Sequence, residues 1–514
     1  MSLDIKPSER PTEVEKIPDV PLNSDDALLQ AQGHRAELNR SFSWIGAIGF
    51  AFSISNAWLG YAATIGSALL YGGGQTALFG PVLAAVATSI VFQGLAELSS
   101  AFPSSGGQYH YTYIMAPSSI RNFLAFLVGI CNILGWWMAL ASGTIIVATS
   151  TFGLVLFWYP EFESQQWQVY LCYVLTILLS LIPVFVIPQK RVDHLVNSAM
   201  ALSILGFFAT IITCLVMGRG DFHPEMMTQY DGASGWSRVP AWLLSINLGQ
   251  YAYMGNGAVT HIAEEMPRPG RNLPLVLNMA QLIGVVTAIP WTMVMLTGVK
   301  DMPAVQKSFF ASMEMFYQST GSRTAATILQ SYLILLYYTC LPSQWITSSR
   351  IAWAFSRDAG LPLSSYWNHI SPKYHIPVRT TFLSAAFCLI YGLLYIASTD
   401  AFNSIINMSF MFLTFTYVAP QTILLFGRRN SLPNRPFNLG KWGNAVNAFA
   451  NVWFLYTLVL VCFPTQLPTT KGSMNYGAAV AVGVFVLVML MWVERRKKFA
   501  GPNIDWDMLK RALE

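Results

Sequence analysis

Residues 250–274, QYAYMGNGAVTHIAEEMPRPGRNLP, put unlike chemistries next to one another. Gly255, Asn256 and Gly257 free the backbone from regular winding, because glycine reaches dihedrals closed to other residues. His261 can change charge near neutral pH. Glu264 and Glu265 follow one turn later, with Arg268 and Arg271 just beyond. The string HIAEE has part of a zinc-binding helix, but no second histidine lies one turn away, so a metallohydrolase is not expected. The other histidines (His34, His110, His194, His223, His369 and His375) are scattered and form no nucleophile–base or metal pattern. No enzyme activity, metal or cofactor is expected.

The surroundings of this segment are apolar. Of 514 residues, 54% are hydrophobic and 11% charged, with mean hydropathy +0.45. A soluble chain carries roughly 25% charged residues, so too few charges are present to coat a globule. Stretches of ~20 apolar residues, each long enough to cross a bilayer as a helix, recur about twelve times. They fall near 43–70, 75–102, 123–156, 169–187, 195–217, 241–262, 273–299, 325–353, 380–396, 402–426, 446–463 and 476–493. The expected fold is an all-α integral membrane protein. It would comprise a disordered tail over 1–41, a transmembrane domain over 42–493 and a short tail over 494–514. The polar start lacks a basic-then-apolar pattern, so no cleaved signal peptide is expected.

With both termini placed in the cytosol, the inner loops collect most of the basic residues, among them Arg121, Arg191, Arg268, Arg350, Arg357 and Arg429. This bias fits an even number of crossings. It also removes nucleic acid as a partner, since the charges alternate with membrane spans. Membrane lipid is the expected surrounding, and Arg495-Arg496-Lys497-Lys498 either meets anionic headgroups or marks the end of the last helix. The six cysteines all fall inside spans and are expected to be free thiols.

Two spans carry an interruption. The first has Ser53, Ile54, Ser55 and Asn56 at its middle, and the sixth has Gly255-Asn256-Gly257. Unpaired backbone is costly in lipid and is tolerated where it faces protein, water or a ligand. Interruptions at matching places in two halves of a chain mark the midplane site of a secondary transporter. Small residues that merely let helices pack closely are the alternative.

Three further stretches carry a family resemblance. GLAELSSAFPSSGGQYHY (94–111), HIAEEMPRPGRNLP (261–274) and SSRIAWAFSRDAGLP (348–362) occur in that order. Together they resemble the amino acid–polyamine–organocation superfamily, in its branch of fungal-type amino acid/choline (GABA/choline permease-like) transporters. The resemblance implies a five-plus-five inverted repeat with helices one and six broken, two additional helices, and a small-molecule substrate held between the breaks.

The charged residues suggest a gate independently of the name. Glu97, Glu264 and Glu265 sit at helix ends in the same layer as Arg121, Arg268, Arg271, Arg350 and Arg357, where ion pairs would latch the inner mouth; static charges that only set topology are the alternative. His261 either shares a proton with the glutamates or is a hydrogen-bonded structural histidine.

At the site, backbone N–H groups near Ser53, Ile54 and Ser55 would take a carboxylate. Carbonyls of Tyr253, Met254 and Gly255 would take an ammonium. Trp136, Trp137, Tyr251 and Tyr253 would stack or gate, and Tyr337, Tyr338 and Thr339 are secondary candidates. Many related transporters of this branch carry an aromatic and then an aspartate where this chain has Asn256 and Gly257. The expected cargo is therefore a neutral or zwitterionic amino acid or GABA-like compound, moved by alternating access. Choline or a polyamine, export of a secondary metabolite, and a non-transporting nutrient receptor are the alternatives. Span five has no lysine, Ser348 and Ser349 offer oxygens to a cation, and proton coupling is expected. The expected location is the plasma membrane, with a vacuolar or other internal membrane as the alternative. Oligomeric state and direction of transport stay open.

Overall fold

The computed structural model describes residues 29–31, 40–470, 474–499, 501, 502, 504, 505 and 507. Among these, nine segments are long and apolar enough to cross a membrane. The first of them folds back on itself and crosses twice; with the composite segment 238–265 and Gly443–Leu460, the described residues make twelve crossings. Side chains such as Leu175, Val186, Ile212 and Leu490 are exposed on the outer faces of their spans, as helices that meet lipid require.

Span one starts at Trp44, where the Ser43 hydroxyl accepts the Gly46 N–H at 3.0 Å and caps the helix. It stops at Ser55. Asn56 adopts a left-handed conformation (φ 31°, ψ 62°), and a new helix begins at Ala57. Asparagine is among the few non-glycine residues that take this conformation readily. The second helix runs to Ala101 through a hairpin at Gly72 and Gly73, which separates spans one and two. Gly73 has φ 65° and ψ −151°, and a Cβ there would lie 2.9 Å from the backbone of Asp231, so only glycine fits.

Span six begins as an α-helix, Arg238–Gly249, and then tightens into 3-10 windings over Gln250–Ala252 and Met254–Glu265. Such runs beyond three or four residues are uncommon and mark hinges or strain. The expected break at Gly255–Gly257 is thus a change of winding that begins earlier, at Gln250, and leaves no open gap. Asn256 N–H still reaches the Tyr253 carbonyl at 3.3 Å.

Short helices that the apolar pattern does not mark cover both faces: Gln108–Met115 and Ser364–Trp367 on the side of the termini, Met302–Lys307 and Ala311–Thr320 on the other. The face of the termini also gathers Arg350, Arg357, Arg429 and Arg435 and is called the basic face below. Most of the expected tails, 1–41 and 494–514, lies outside the described residues. The described parts are packed: Ala31 and Phe499 are buried, and Asp505 N–H donates to the Ala31 carbonyl at 2.9 Å. All six cysteines are free.

Candidate substrate site and gate

A cavity of about 80 Å³ lies where the two interrupted spans approach spans three, eight and ten. Span one contributes Ile54, Ser55 and Asn56; span six contributes Tyr251, Met254 and Gly255. Gly255 lets the two segments touch, since a Cβ there would fall 2.8 Å from Ser55 Cα. The Ser55 hydroxyl donates to Asn256 Oδ1 at 2.7 Å, and Asn256 Nδ2 donates to Gln281 Oε1 at 2.7 Å. The two interruptions are thereby joined to each other and to span seven.

Asn56 is held from two sides. Its Oδ1 accepts from Ser203 at 2.9 Å and its Nδ2 points at Cys340 Sγ, 3.7 Å away. The first intrahelical bond after it is Gly60 N–H to Asn56 O at 2.8 Å. The N–H groups of Ala57, Trp58 and Leu59 are therefore the open donors of a helix N-terminus at the cavity, a place that favours negative charge. The sequence places these donors at Ser53, Ile54 and Ser55. That expectation is corrected, because those residues end a regular helix and their N–H groups are spent inside it.

The expected carbonyl cluster is also only partly available. Tyr253 O accepts from Asn256, and Met254 O accepts from the Tyr417 hydroxyl at 3.0 Å. Tyr253 itself is fully buried outside the cavity, against Gly284. Gly257 lies against the Tyr417 ring, Ser53 shares a hydrogen bond with Ser343 at 2.7 Å, and Thr339 bonds back to Leu336 O at 2.8 Å. None of these four lines the cavity. Trp136 and Tyr251 do, the latter anchored by Ser142 at 2.7 Å. Trp137 instead donates to Ser348 O at 3.2 Å, and Tyr338 to Leu179 O at 2.7 Å.

Sequence reasoning did not single out Gln344, Cys340, Gly143, Ser409, Phe410 and Leu413, which also border the cavity. Tyr337, Cys340 and Gln344 recur at the spacing of one helical face; that periodicity, with an amide in an apolar span, was the available signal. Among the described residues, no ionisable acid or base lines the cavity beyond tyrosine and cysteine. Among the described residues, no cluster of His, Cys, Asp and Glu could hold a metal ion.

Toward the basic face, ion pairs close the bundle. Glu265 is buried and receives Arg350 Nε at 2.8 Å and Nη2 at 3.3 Å, together with Gln189 Nε2 at 2.6 Å. Glu264 receives both terminal nitrogens of Arg357, at 3.2 and 3.0 Å, and the Ser105 N–H at 3.1 Å. Arg357 also lies over the Trp353 ring at 4.6 Å. These contacts tie span six to span eight and to the loop after span two. Glu97 is a separate anchor. It pairs with Arg429 at 2.8 Å and with Arg435, and accepts the Leu439 N–H at 2.9 Å, so it fixes the loop after span ten instead of joining the Glu264–Glu265 latch. Arg268 starts span seven with a left-handed backbone, φ 46°.

His261 bonds through Nδ1 to the Ser105 carbonyl at 3.1 Å and lies 3.4 Å through Nε2 from Asn132 Nδ2. A carbonyl can only accept, so Nδ1 carries the proton and Nε2 is free to accept from Asn132. The ring braces the loop after span two; neither ring nitrogen has a glutamate as its hydrogen-bond partner here. A second buried pair, His110 Nε2 and Asp358 Oδ2 at 2.8 Å, sits in the same layer with Tyr109.

Interrupted helices around a central cavity, with ion pairs across one mouth, define a membrane permease. The amino acid permease family profile matches residues 42–487, and the chain belongs to that family, within the amino acid–polyamine–organocation superfamily. Its architecture is the five-plus-five inverted repeat with interrupted helices one and six, extended by two helices. The chain is 29% identical over 466 residues to a choline transporter of Saccharomyces cerevisiae, covering 90% of this chain and 82% of that one. It is 27% identical over 500 residues to an amino-acid permease BAT1 homolog of Oryza sativa subsp. japonica, covering 94% and 96%. It is 27% identical over 523 residues to a GABA-specific permease of Saccharomyces cerevisiae, covering 95% and 88%. Such relatives make this chain a transporter of small molecules and not an enzyme.

Proposed function

We propose that this permease carries a small amine-containing metabolite without net charge, a neutral or zwitterionic amino acid or a GABA-like compound, across the plasma membrane. The observation that supports this most is the cavity between spans one and six, whose described lining residues include no Asp, Glu, Lys, Arg or His. A cation or anion entering alone would lose its hydration without a counter-charge. A zwitterion brings its own. Its carboxylate suits the N-terminus after Asn56, and its ammonium suits the faces of Trp136 and Tyr251.

The excess of arginine and lysine on the basic face supports a cytosolic position for that face and both termini. Transport proceeds by alternating access, and the Glu264–Arg357 and Glu265–Arg350 pairs close the cytosolic mouth while the outer one is open. Proton coupling is part of the proposal. A second reading, choline transport, draws on the aromatic lining and on the 29% identity to the yeast choline transporter.

Uptake of a radiolabelled panel into proteoliposomes, with and without a protonophore, tests both. Saturable uptake of neutral amino acids or 4-aminobutyrate that falls with the protonophore is the expected result. Preference for choline or polyamines overturns the substrate reading, and insensitivity to the protonophore overturns the coupling.

A further inference from the structure

Three polar atoms around the cavity have no hydrogen-bond partner although they are buried: Trp136 Nε1, Tyr337 Oη and Gln344 Oε1. Trp136 and Tyr337 are 1% and 5% exposed. A buried polar atom without a partner is uncommon in a folded protein, because it has lost water and gained nothing. Three around one cavity point to a guest that completes them. Three other polar side chains there are occupied: Tyr251 by Ser142, Ser55 by Asn256, and Asn56 by Ser203.

The backbone supports this arrangement. Tyr337, Cys340 and Gln344 lie on one face of span eight, so two of the three arms come from a single rigid element. The Gln344 amide lies over Gly143 of span three, where a Cβ would fall 2.5 Å from Oε1. Gly143 therefore clears the space in which the amide rests, seven residues along the same helix from Trp136.

We propose that Gln344, Tyr337 and Trp136 determine substrate specificity by reading hydrogen-bonding atoms in place of charge. Gln344 Oε1 accepts an N–H from the amine of the substrate. Trp136 Nε1–H donates to an oxygen of the same molecule, and the Tyr337 hydroxyl completes whichever end lies beside it. This deepens the reading of the cavity as a site for an uncharged or zwitterionic amine and rests on that reading. Its consequence is that the amine must keep an N–H. A trimethylated nitrogen carries the same charge but has no hydrogen, so it leaves Gln344 Oε1 buried and unsatisfied. Sites built around such a bond reject the analogue that lacks it far more strongly than a hydrophobic pocket rejects an extra methyl.

The test uses the full-length permease in proteoliposomes and two probes, 4-aminobutyrate and its N-trimethyl counterpart. Wild-type protein is expected to favour the primary amine by roughly 100-fold in kcat/KM. Gln344→Met should bring that ratio to within about 5-fold, mainly through KM for the primary amine, because a thioether accepts hydrogen bonds only weakly. Gln344→Glu keeps the shape and adds a charge, and is expected to gain uptake of an amine that lacks a carboxylate; a gain of this kind cannot come from misfolding. Trp136→Phe and Tyr337→Phe should each raise KM with kcat little changed. An unchanged ratio in Gln344→Met, or a wild-type preference for the trimethyl compound, overturns the inference and leaves the permease reading standing. Failure of the wild type to move either probe, when it moves another solute, overturns the substrate reading and this inference with it.

Discussion

Arg350 grips Glu265 through two nitrogens, with the arginine and the glutamate side chains 1% and 0% exposed, where spans eight and six approach the basic face. Neither charge has water to fall back on. Removing one partner of a buried pair costs about 3–5 kcal/mol, because the other is left uncompensated. Glu265→Gln should therefore loosen the closed mouth. Hydrogen exchange of the 103–108 backbone, which the neighbouring Glu264 holds through Ser105, is expected to rise about 100-fold or more if that loss is felt there. Unchanged exchange with unchanged uptake would show these charges to be static topology markers.

Gly255 is the point at which spans one and six meet. A methyl added there would strike Ser55 Cα at 2.8 Å and Ser55 N at 2.9 Å, which are backbone atoms of the opposite span. Gly255→Ala should cost about 1–3 kcal/mol by overpacking and reduce uptake at least 10-fold. Gly483→Ala is the control, since a Cβ there would have nothing within 4 Å. Melting in detergent together with uptake separates the two; equal behaviour would mean that the close approach is unimportant.

Asn56 combines a left-handed backbone with two side-chain contacts, to Ser203 and Cys340. Asn56→Gly and Asn56→Ala lose those contacts alike. Only alanine adds the penalty of a left-handed residue with a Cβ, about 1–2 kcal/mol. The expected order of melting temperature is wild type, then glycine, then alanine. If alanine matched or exceeded glycine, the bend at this residue would have to be explained by something other than its dihedrals.

The membrane architecture was readable because it rests on apolar length and basic asymmetry, which need no knowledge of neighbours. Both interruptions were readable for the same reason: Ser55-Asn56 and Gly255-Asn256-Gly257 contradict the helices around them. What the residues do at the interruption was less so. Asn256 bonds toward Gln281 and Ser55 instead of opening the cavity, and Tyr253 turns away to Gly284, because a 3-10 winding rotates successive residues by a different angle than the α-helix assumed. Glu97 was grouped with Glu264 and Glu265 by depth alone. Its partners, Arg429 and Arg435, come from a loop more than 300 residues away, and which loop folds under which helix is not written in local pattern.

On the face opposite the termini, Asp221 pairs with Lys300 and His223 Nδ1 lies 3.0 Å from Glu225. The hydrogen bond and charge of Lys300 hold the Asp221 carboxyl below its usual range. A carboxyl whose pKa is lower folded than unfolded contributes stability above its unfolded value and loses it as pH falls through the folded one. The tie between the loop after span five and the end of span seven should thus persist at neutral and mildly acidic pH and fail below the ordinary carboxylate range. Hydrogen exchange over 218–229 is expected to rise on that acid side, and Lys300→Met should move the rise to higher pH. A profile identical in the two proteins would contradict the pairing.

Phe499 connects the C-terminal segment to the gate. Its ring is 1% exposed and lies 5.5 Å from both Phe126 and Phe355, and Phe355 in turn meets Tyr109 edge-on at 5.3 Å. Tyr109 donates to Asp358, next to the Arg357 that holds Glu264. The segment beyond span twelve is thus wedged beneath the helices that carry the latch. Emptying such a site costs about 3–5 kcal/mol when a phenylalanine is cut to alanine in a core, and less where the surroundings can settle. Phe499→Ala is expected to lower the melting temperature and to expose the chain after Arg495 to protease, while Phe499→Leu keeps most of the packing. If Phe499→Ala melts and resists cleavage as wild type does, the contact holds nothing, and the latch depends on its ion pairs alone.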